Sequence, residues 1–229
     1  MGTLGEHSMG ANTRAVLFDL DGTLLDTLED IADSTNAALV SMGFPVHEVQ
    51  DFRTLVGDGM DTLVRKALPE ARRDTATMAE CTSRLRSEYS ARWAAKTKPF
   101  EGIPELLDGL QARGLSLAIL SNKPDDFTQL MTDELLGAWR FAAVEGAREG
   151  VSKKPDPTAA LSIARRLGEI ASSIMYVGDS GTDMRTALAA GMLPAGALWG
   201  FRPWELQAAG AKILLQHPLD LLDHLESQV

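Results

Sequence analysis

Two aspartates that directly follow a short apolar run constrain what this chain can fold into more than any other feature. The run, residues 15–18, is of strand type, and Gly22 and Thr23 suit a tight turn after it. Asp19 and Asp21 are therefore expected where a buried strand ends, the edge at which parallel α/β sheets bind ligands. Two carboxylates crowded there repel each other unless a cation or a shared proton relieves them. A helix cap or an Asx turn would explain one aspartate well but explains two poorly.

The rest of the chain divides into a helical stretch and an alternating one. From Pro99 onward, apolar strand-type runs alternate with helical periodicity, which predicts a parallel, doubly wound α/β sheet. The strands are predicted over residues 115–120, 141–144, 174–177, 195–199 and 213–215. Between Asp26 and Lys96 one helical pattern follows another with no convincing strand, which is long for a crossover between parallel strands.

These patterns indicate a split core domain with an insertion. We expect an α/β core at residues 13–25 and 97–229 and an inserted all-helical cap domain at residues 26–96. Within the cap, residues 48–55 are expected to form one short helix. Residues 1–12 are polar and contain glycine, and we expect them to be a flexible leader.

The charge and cysteine content limit the possible partners. A formal net charge of −10 argues against nucleic acid, because phosphate backbones bind to basic faces. An anionic substrate then requires a bound cation and a few placed lysines that reverse the field locally. Cys81 is the only cysteine, which excludes an intrachain disulfide and indicates a reducing compartment, so we expect a cytoplasmic protein. No stretch has the length and apolarity of a membrane span, and we expect a monomer or a homodimer.

Polar residues follow other predicted strands and should meet the two aspartates at one sheet edge. Ser121, Asn122 and Lys123 follow Leu120, and the stretch 178–183, which contains Asp179 and Asp183, follows a later strand. Lys153 and Lys154 stand before a proline between these two stretches. Taken singly, each stretch could be a turn, a helix start or solvated charge. Their joint occurrence beside the right elements favours a functional site.

Such a site suits phosphoryl transfer. Asp19 and Asp179, with a backbone carbonyl, offer the hard oxygen ligands that Mg²⁺ prefers. The Ser121 hydroxyl and turn N–H groups near Asp21 and Asn122 can hold phosphoryl oxygens. A lysine supplies fixed positive charge where negative charge develops. One carboxylate can attack phosphorus to form an aspartyl phosphate, and a second can protonate the leaving alkoxide and later deprotonate water.

The order of these four motifs resembles the haloacid dehalogenase superfamily from Arg14 onward. The resemblance implies that Asp19 is the nucleophile, and that Asp21 is the acid/base and lends its carbonyl to the metal. It also implies roles for four further residues: Ser121 binds phosphate, Lys154 is the motif lysine, Asp179 ligates the metal, and Asp183 supports it or pairs with Lys154. The helical insertion corresponds to the C1-type cap of that superfamily.

Four stretches narrow the resemblance to bacterial phosphoglycolate phosphatases: residues 52–59, 121–124, 154–157 and 199–203. This implies a Mg²⁺-dependent phosphatase of a small phosphorylated metabolite, 2-phosphoglycolate above all. Gly57 and Gly59 could bare N–H groups at a helix start and bind a small carboxylate, while Asn122 and Lys123 are the other substrate-binding candidates. Asp58 would repel that carboxylate unless its side chain points away.

Two alternative activities stay open at this point, and two further possibilities are disfavoured. A sugar-phosphate phosphatase or a phosphoglucomutase of the same fold would use the same core motifs, and the mutase would need the cap to exclude water. A catalytically inactive binding protein on the same scaffold is disfavoured by the intact motif residues. A haloalkanoate dehalogenase is disfavoured because Asp21 and the acidic cluster suit phosphate rather than halide.

Overall fold

A sheet of six parallel strands forms the centre of the fold in the computed structural model, which describes residues 13–227. The expected leader at residues 1–12 lies outside the described residues. In chain order the strands are β1 (Ala15–Phe18), β2 (Leu25–Asp26), β3 (Lys98–Pro99), β4 (Ser116–Pro124), β5 (Phe141–Ala147), β6 (Ile174–Gly178), β7 (Leu193–Ala197) and β8 (Ile213–Leu215). The α-helices are α1 (Leu28–Ser41), α2 (Phe52–Leu55), α3 (Met60–Ala67), α4 (Thr75–Arg92), α5 (Ile103–Ala112), α6 (Asp125–Leu136), α7 (Thr158–Leu167), α8 (Gly181–Ala190) and α9 (Asp220–Glu226).

The strand order places β1 at the point where the chain changes direction across the sheet. The order is β5-β4-β1-β6-β7-β8, and every neighbouring pair is parallel. The chain builds one side of the sheet after β1, with β4 and β5, and then returns to build the other side from β6. Ligands bind at the carboxyl edge beside such a switch point. The predicted doubly wound α/β core is thus confirmed.

Strand β1 is buried on both faces, which is why it reads as a continuous apolar run. Ala15 and Leu17 pack in a cluster with side chains of α7 and α8. Val16 and Phe18 pack on the other face, with side chains of α5, α6 and the inserted helices. Successive strand residues point to opposite faces, so four residues anchor helices on both sides of the sheet.

The helices α1–α4 lie between β2 and β3, and α1 packs against α4. The two short strands pair antiparallel, Leu25 with Pro99 and Asp26 with Lys98, where the chain leaves and re-enters the core. Asp30 in the first turn of α1 fastens this crossing, because its Oδ2 accepts hydrogen bonds from the N–H groups of Lys96 and Thr97 at 2.9 and 2.8 Å. The sequence pattern did not indicate this two-stranded ribbon.

Several local predictions were wrong in their boundaries: β5 runs to Ala147 rather than to residue 144, and β7 spans residues 193–197 rather than 195–199. Strand β4 continues past Leu120 to Pro124, because the three polar residues that follow Leu120 stay extended and buried. Because polar residues usually mark the end of a strand in a sequence, the prediction stopped at Leu120. The expected single helix at residues 48–55 is a 3₁₀ turn, Val49–Asp51, followed by α2. Within residues 13–227, no helix combines the length and apolarity that crossing a membrane requires.

Candidate active site

Three buried carboxylates meet at the carboxyl edge of the sheet. Asp19 directly follows β1, Asp179 directly follows β6, and Asp183 lies in the first turn of α8. One carboxylate oxygen from each lies within 4.8 Å of the other two. The topology therefore brings together the acidic residues that were predicted to cluster. The three atoms that they could offer to a cation are all carboxylate oxygens.

Glycines leave room for this acidic cluster. A side chain at Gly22 or Gly200 would collide with Asp179, and one at Gly178 would collide with Asp183. Gly22 also has a φ of 81°, which L side chains rarely adopt. The lack of a side chain at Gly22, Gly178 and Gly200 is thus what lets Asp179 and Asp183 lie close to Asp19.

Lys154 neutralises part of the cluster. Its Nζ lies 2.9 Å from Asp19 Oδ1 and 2.6 Å from Asp183 Oδ1, and it donates to the carbonyl of Leu120 at 3.1 Å. Burial disfavours the Lys154 charge, yet Asp183 and Asp19 hold its pKa well above the ordinary value. Asn122 fixes the loop that carries Lys154, because its Oδ1 accepts from the Lys154 N–H at 2.9 Å.

Asp183 is engaged with the protein through both of its carboxylate oxygens. Oδ1 accepts from Lys154, and Oδ2 accepts from the Ser180 hydroxyl at 2.6 Å and the Ser180 N–H at 3.1 Å. The last contact belongs to a capping box at the start of α8. Of the two roles left open for Asp183, the structure therefore shows the pairing with Lys154.

The acidic cluster is electrostatically prepared for a cation. Burial raises the pKa of Asp19 to about 7, although Lys154 opposes the shift. Burial, reinforced by Asp183 and Asp19, raises the pKa of Asp179 to about 8. A divalent cation would relieve this repulsion, and an all-oxygen donor set suits Mg²⁺. The residues present therefore fit the predicted metal.

Asp21 stands apart from that cluster and pairs with Lys123. The Lys123 Nζ lies 2.9 and 3.1 Å from the two Asp21 oxygens, and both side chains are nearly buried. The same ammonium lies 4.6 Å from the centre of the Tyr89 ring, which α4 supplies from the inserted helices. Burial disfavours the charge of Lys123, but Asp21 beside it holds the lysine pKa above its ordinary value.

A cavity opens next to these groups, between the core and the inserted helices. The core contributes Asp19, Asp21, Ser121, Asn122 and Lys123, the last being the only cation among the described lining residues. The inserted segment contributes the loop before α3 and an apolar wall: Ile31, Val56, Gly57, Gly59, Met60, Leu63, Leu85 and Tyr89. The structure therefore brings Gly57 and Gly59 to the same cavity as the predicted catalytic residues.

The side chains of Asn122 and Asp58, which were expected near the substrate, make contacts within the protein instead. The Asn122 amide donates to the carbonyls of Gly57 and Lys154, both at 3.2 Å, so it links the inserted loop to the core. Asp58 pairs with Lys66 at 2.8 Å and accepts from the Thr182 hydroxyl at 3.3 Å. Although burial opposes the shift, Lys66 and Arg202 lower the Asp58 pKa. The Asp58 side chain therefore points away from the cavity and does not line it. It would not repel a carboxylate bound there.

Sequence reasoning missed three residues that the structure places around the site. Tyr89 covers Lys123, Arg53 of α2 donates to the carbonyls of Gly200 and Phe201, and Arg202 lies against Gly57. Arg53 and Arg202 fall within stretches that carried the narrower resemblance, but no spacing rule assigned them a partner. Only the tertiary contacts identify them.

The chain is similar to known proteins of one family over most of its length. A family model described as haloacid dehalogenase-like hydrolase matches residues 16–197. The chain is 35% identical over 202 residues to phosphoglycolate phosphatase of Xylella fastidiosa strain 9a5c, which covers 88% of this chain and 87% of that protein. It is 31% identical to phosphoglycolate phosphatase of Aquifex aeolicus, over 94% of this chain and 98% of the relative. The crystal structure of a predicted phosphatase from Clostridium acetobutylicum superimposes with a TM-score of 0.82 at 25% identity, covering 94% of this chain and 99% of that one.

Proposed function

Because the chain belongs to the haloacid dehalogenase-like hydrolases and is a phosphatase of phosphate monoesters, we propose that it hydrolyses 2-phosphoglycolate with Mg²⁺ as its cation. The observation that carries the proposal is the cavity that Asp19 lines together with the buried ammonium of Lys123, while Asp179 and Asp183 meet Asp19 in the acidic cluster beside it. Asp19 and its cluster can act on the phosphoryl group of a short substrate. Lys123 can bind a further anionic group on the same substrate.

We assign the first half of the reaction to Asp19 and Asp21. The Asp19 carboxylate attacks phosphorus, a new bond forms between its oxygen and phosphorus, and the bond from phosphorus to the glycolate oxygen breaks. Asp21 gives its proton to the departing alkoxide. The Ser121 hydroxyl binds a phosphoryl oxygen, and Lys154, 2.9 Å from Asp19, supplies positive charge where negative charge develops.

The second half returns the enzyme to its starting state. Asp21 takes a proton from a water molecule, the water oxygen bonds to phosphorus, and the bond to Asp19 breaks to release phosphate. Asp19, Asp179 and the backbone carbonyl of Asp21 would hold Mg²⁺, which when bound neutralises charge on the phosphoryl oxygens. Asp183 acts through Lys154, which it contacts at 2.6 Å.

Metal dependence should follow the protonation of the acidic cluster. With folded pKa values of about 7 and about 8 against an ordinary 3.8, Asp19 and Asp179 bind more protons when folded, so without a cation they lower stability as pH rises from about 4 to about 8. Mg²⁺ must displace those protons. We expect the rise in Tm caused by Mg²⁺ to be small near pH 6 and to grow up to about pH 9.

Thermal unfolding with and without Mg²⁺ across that pH range checks this prediction. Asp179→Asn should remove most of the rise in Tm that Mg²⁺ causes. Activity should vanish in EDTA, return with Mg²⁺ or Mn²⁺, and be inhibited by Ca²⁺, which imposes looser coordination. Full turnover in exhaustively chelated buffer would refute the metal assignment.

Lys123 is the residue that best accounts for a carboxylated substrate. It is buried, its present anionic partner is Asp21, and the remaining cavity wall is largely apolar. A buried cation is costly unless an anion pairs with it. When Asp21 carries the proton that it gives to the leaving alkoxide, the carboxylate of phosphoglycolate would supply that anion, and Gly59 at the start of α3 could add the positive end of the helix dipole.

A neutral analogue of the substrate isolates this contribution. In 2-hydroxyethyl phosphate a hydroxymethyl group replaces the carboxylate while the ester stays an alkyl phosphate. We expect wild-type enzyme to prefer phosphoglycolate in kcat/KM and Lys123→Met to reduce that preference at least about tenfold, the range of a charge-assisted contact. Any effect transmitted through Asp21 should lower kcat/KM for both substrates alike. An unchanged ratio of the two kcat/KM values would therefore contradict the role of Lys123.

The same assay separates the alternative substrates. Hexose phosphates should be poorer than phosphoglycolate in kcat/KM, because a bulkier alcohol would hold the inserted helices away from the core. A preference for a hexose phosphate would replace the substrate assignment with the sugar-phosphate alternative. Conversion of glucose 1-phosphate to glucose 6-phosphate would instead identify a mutase.

A further inference from the structure

Arg53 joins the inserted helices to the core through two consecutive backbone carbonyls. Its Nη2 donates to the carbonyl of Gly200 at 2.8 Å, and its Nε donates to that of Phe201 at 3.0 Å. The guanidinium also lies 5.9 Å from the centre of the Trp204 ring. The rigid fork of arginine suits two acceptors at once, so this contact specifies one position of α2 against the loop at residues 200–204.

A second contact joins the same two parts of the molecule nearby. Asp58, in the loop before α3, accepts from the Thr182 hydroxyl at 3.3 Å and lies 3.7 Å from Arg202 Nη2. That nitrogen is buried and has no hydrogen-bond partner within the described residues, and it lies where a side chain on Gly57 would have to be. A charged group left in this state gains from any carboxylate held beside it.

Both contacts end on the segments that carry the acidic cluster. The Phe201 N–H donates to Asp179 Oδ2 at 2.7 Å, and Thr182 directly precedes Asp183. The Gly200 carbonyl and the Phe201 N–H belong to one peptide group, which is planar. The carbonyl of that group binds Arg53, and its N–H, which points the opposite way, binds Asp179. A rotation of the peptide that breaks one hydrogen bond therefore disturbs the other.

We propose that Arg53, Asp58, Thr182 and residues 200–202 form a latch that couples closure of the inserted helices to occupation of the acidic cluster by a cation. A cation that orients Asp179 also orients the Gly200–Phe201 peptide, which then presents its carbonyl to Arg53. By reciprocity, the closed position must raise the affinity for the cation by the same factor. Arg53 is thus a positioning residue, and the latch rests on the proposed cation site but not on the identity of the substrate.

Mg²⁺ alone, without substrate, tests the latch. Its dissociation constant is measured by calorimetry for wild type, Arg53→Met and a matched control, Arg84→Met. Within residues 13–227, Arg84 hydrogen-bonds only to Ser41 and Glu80, both within the inserted helices, so its loss leaves the latch intact. We expect Arg53→Met to weaken Mg²⁺ binding about tenfold, within the range of coupling between sites, and the control to match wild type.

Hydrogen exchange of the segment at residues 52–60 supplies a second readout. In wild type and in Arg84→Met, Mg²⁺ should slow exchange in this segment, whereas in Arg53→Met exchange should be fast with and without the cation. Arg53→Lys, which can reach one carbonyl, should fall between the two. Unchanged Mg²⁺ affinity in a folded Arg53→Met protein, or equal protection by Mg²⁺ in both proteins, would overturn the proposal.

Asp58→Asn repeats the test from the other contact, and it decides the outcome if Arg53→Met does not fold. Asparagine can still accept from Thr182 but lacks the charge that faces Arg202, so Mg²⁺ affinity and protection should both fall. Wild-type values for both quantities would reject the latch. Failure of wild type to bind Mg²⁺ would be a different result, because it would remove the cation site itself.

Discussion

Asp19→Asn is expected to lower phosphatase turnover by more than about 10³-fold while the chain stays folded. The asparagine amide keeps the shape of the side chain and can still accept the hydrogen bond that the Leu20 N–H donates at 2.7 Å. It has no charge with which to attack phosphorus, and it removes one proposed ligand of the cation. Loss of the Asp19 charge removes one anionic partner of Lys154, which keeps Asp183 at 2.6 Å, and it relieves repulsion between Asp19 and Asp183. Folding should therefore be unharmed.

Phosphate release, circular dichroism and thermal unfolding measure the two halves of this expectation. Asp133→Asn on the exposed face of α6 makes the same chemical change outside the site and should keep wild-type activity. A folded Asp19→Asn enzyme that still turns over at more than a few per cent of the wild-type rate would show that another group attacks phosphorus.

Asp21→Asn should discriminate between leaving groups. Protonation by a general acid contributes roughly 10²–10⁴-fold when the departing alkoxide is a poor leaving group. Phosphoglycolate releases such an alkoxide, whereas p-nitrophenyl phosphate releases a stabilised phenolate. We therefore expect kcat/KM for phosphoglycolate to fall by about 10²-fold or more and kcat/KM for the aryl ester to fall much less.

The ratio kcat/KM is the appropriate measure because it reports the step in which the leaving group departs. If Asp21 also deprotonates water in the second step, the variant should show a burst of nitrophenol followed by slow turnover. Asp21→Asn leaves Lys123 buried without its present partner, so Lys123→Met serves as the control for damage to this pair. Equal losses on both esters in Asp21→Asn would argue for a structural or metal-site role instead of an acid.

The positions of the residues proposed to be catalytic could be predicted because they follow strand ends in the sequence. Asp19 follows β1 and Asp179 follows β6, and neighbouring parallel strands must end at one edge of the sheet. Once the strand pattern is recognised, the meeting of these carboxylates requires no knowledge of side-chain directions. The same reasoning placed Ser121 and Lys154 at that edge, even though β4 proved to run past its predicted end.

The roles of Lys123 and Asn122 could not be predicted in the same way. Both were predicted from the sequence to bind substrate, but the Asn122 side-chain amide binds backbone groups of Gly57 and Lys154. Lys123 pairs with Asp21, 102 positions away in the chain, beneath a tyrosine ring from α4. A polar side chain in a buried strand takes whichever partner its rotamer reaches, and composition does not reveal that partner.

The α/β core, the helical insertion and the order of the residues proposed to perform phosphoryl transfer could all be predicted from the sequence, because periodicity and strand-end chemistry are local properties. How the insertion sits on the core is visible only in the folded molecule. The contact of Arg53 with Phe201 spans 148 positions, and the orientation of Asp58 toward Thr182 spans 124. Such contacts depend on how the inserted helices are placed against the α/β core, and that placement is set by packing across the whole molecule rather than by any single stretch of chain.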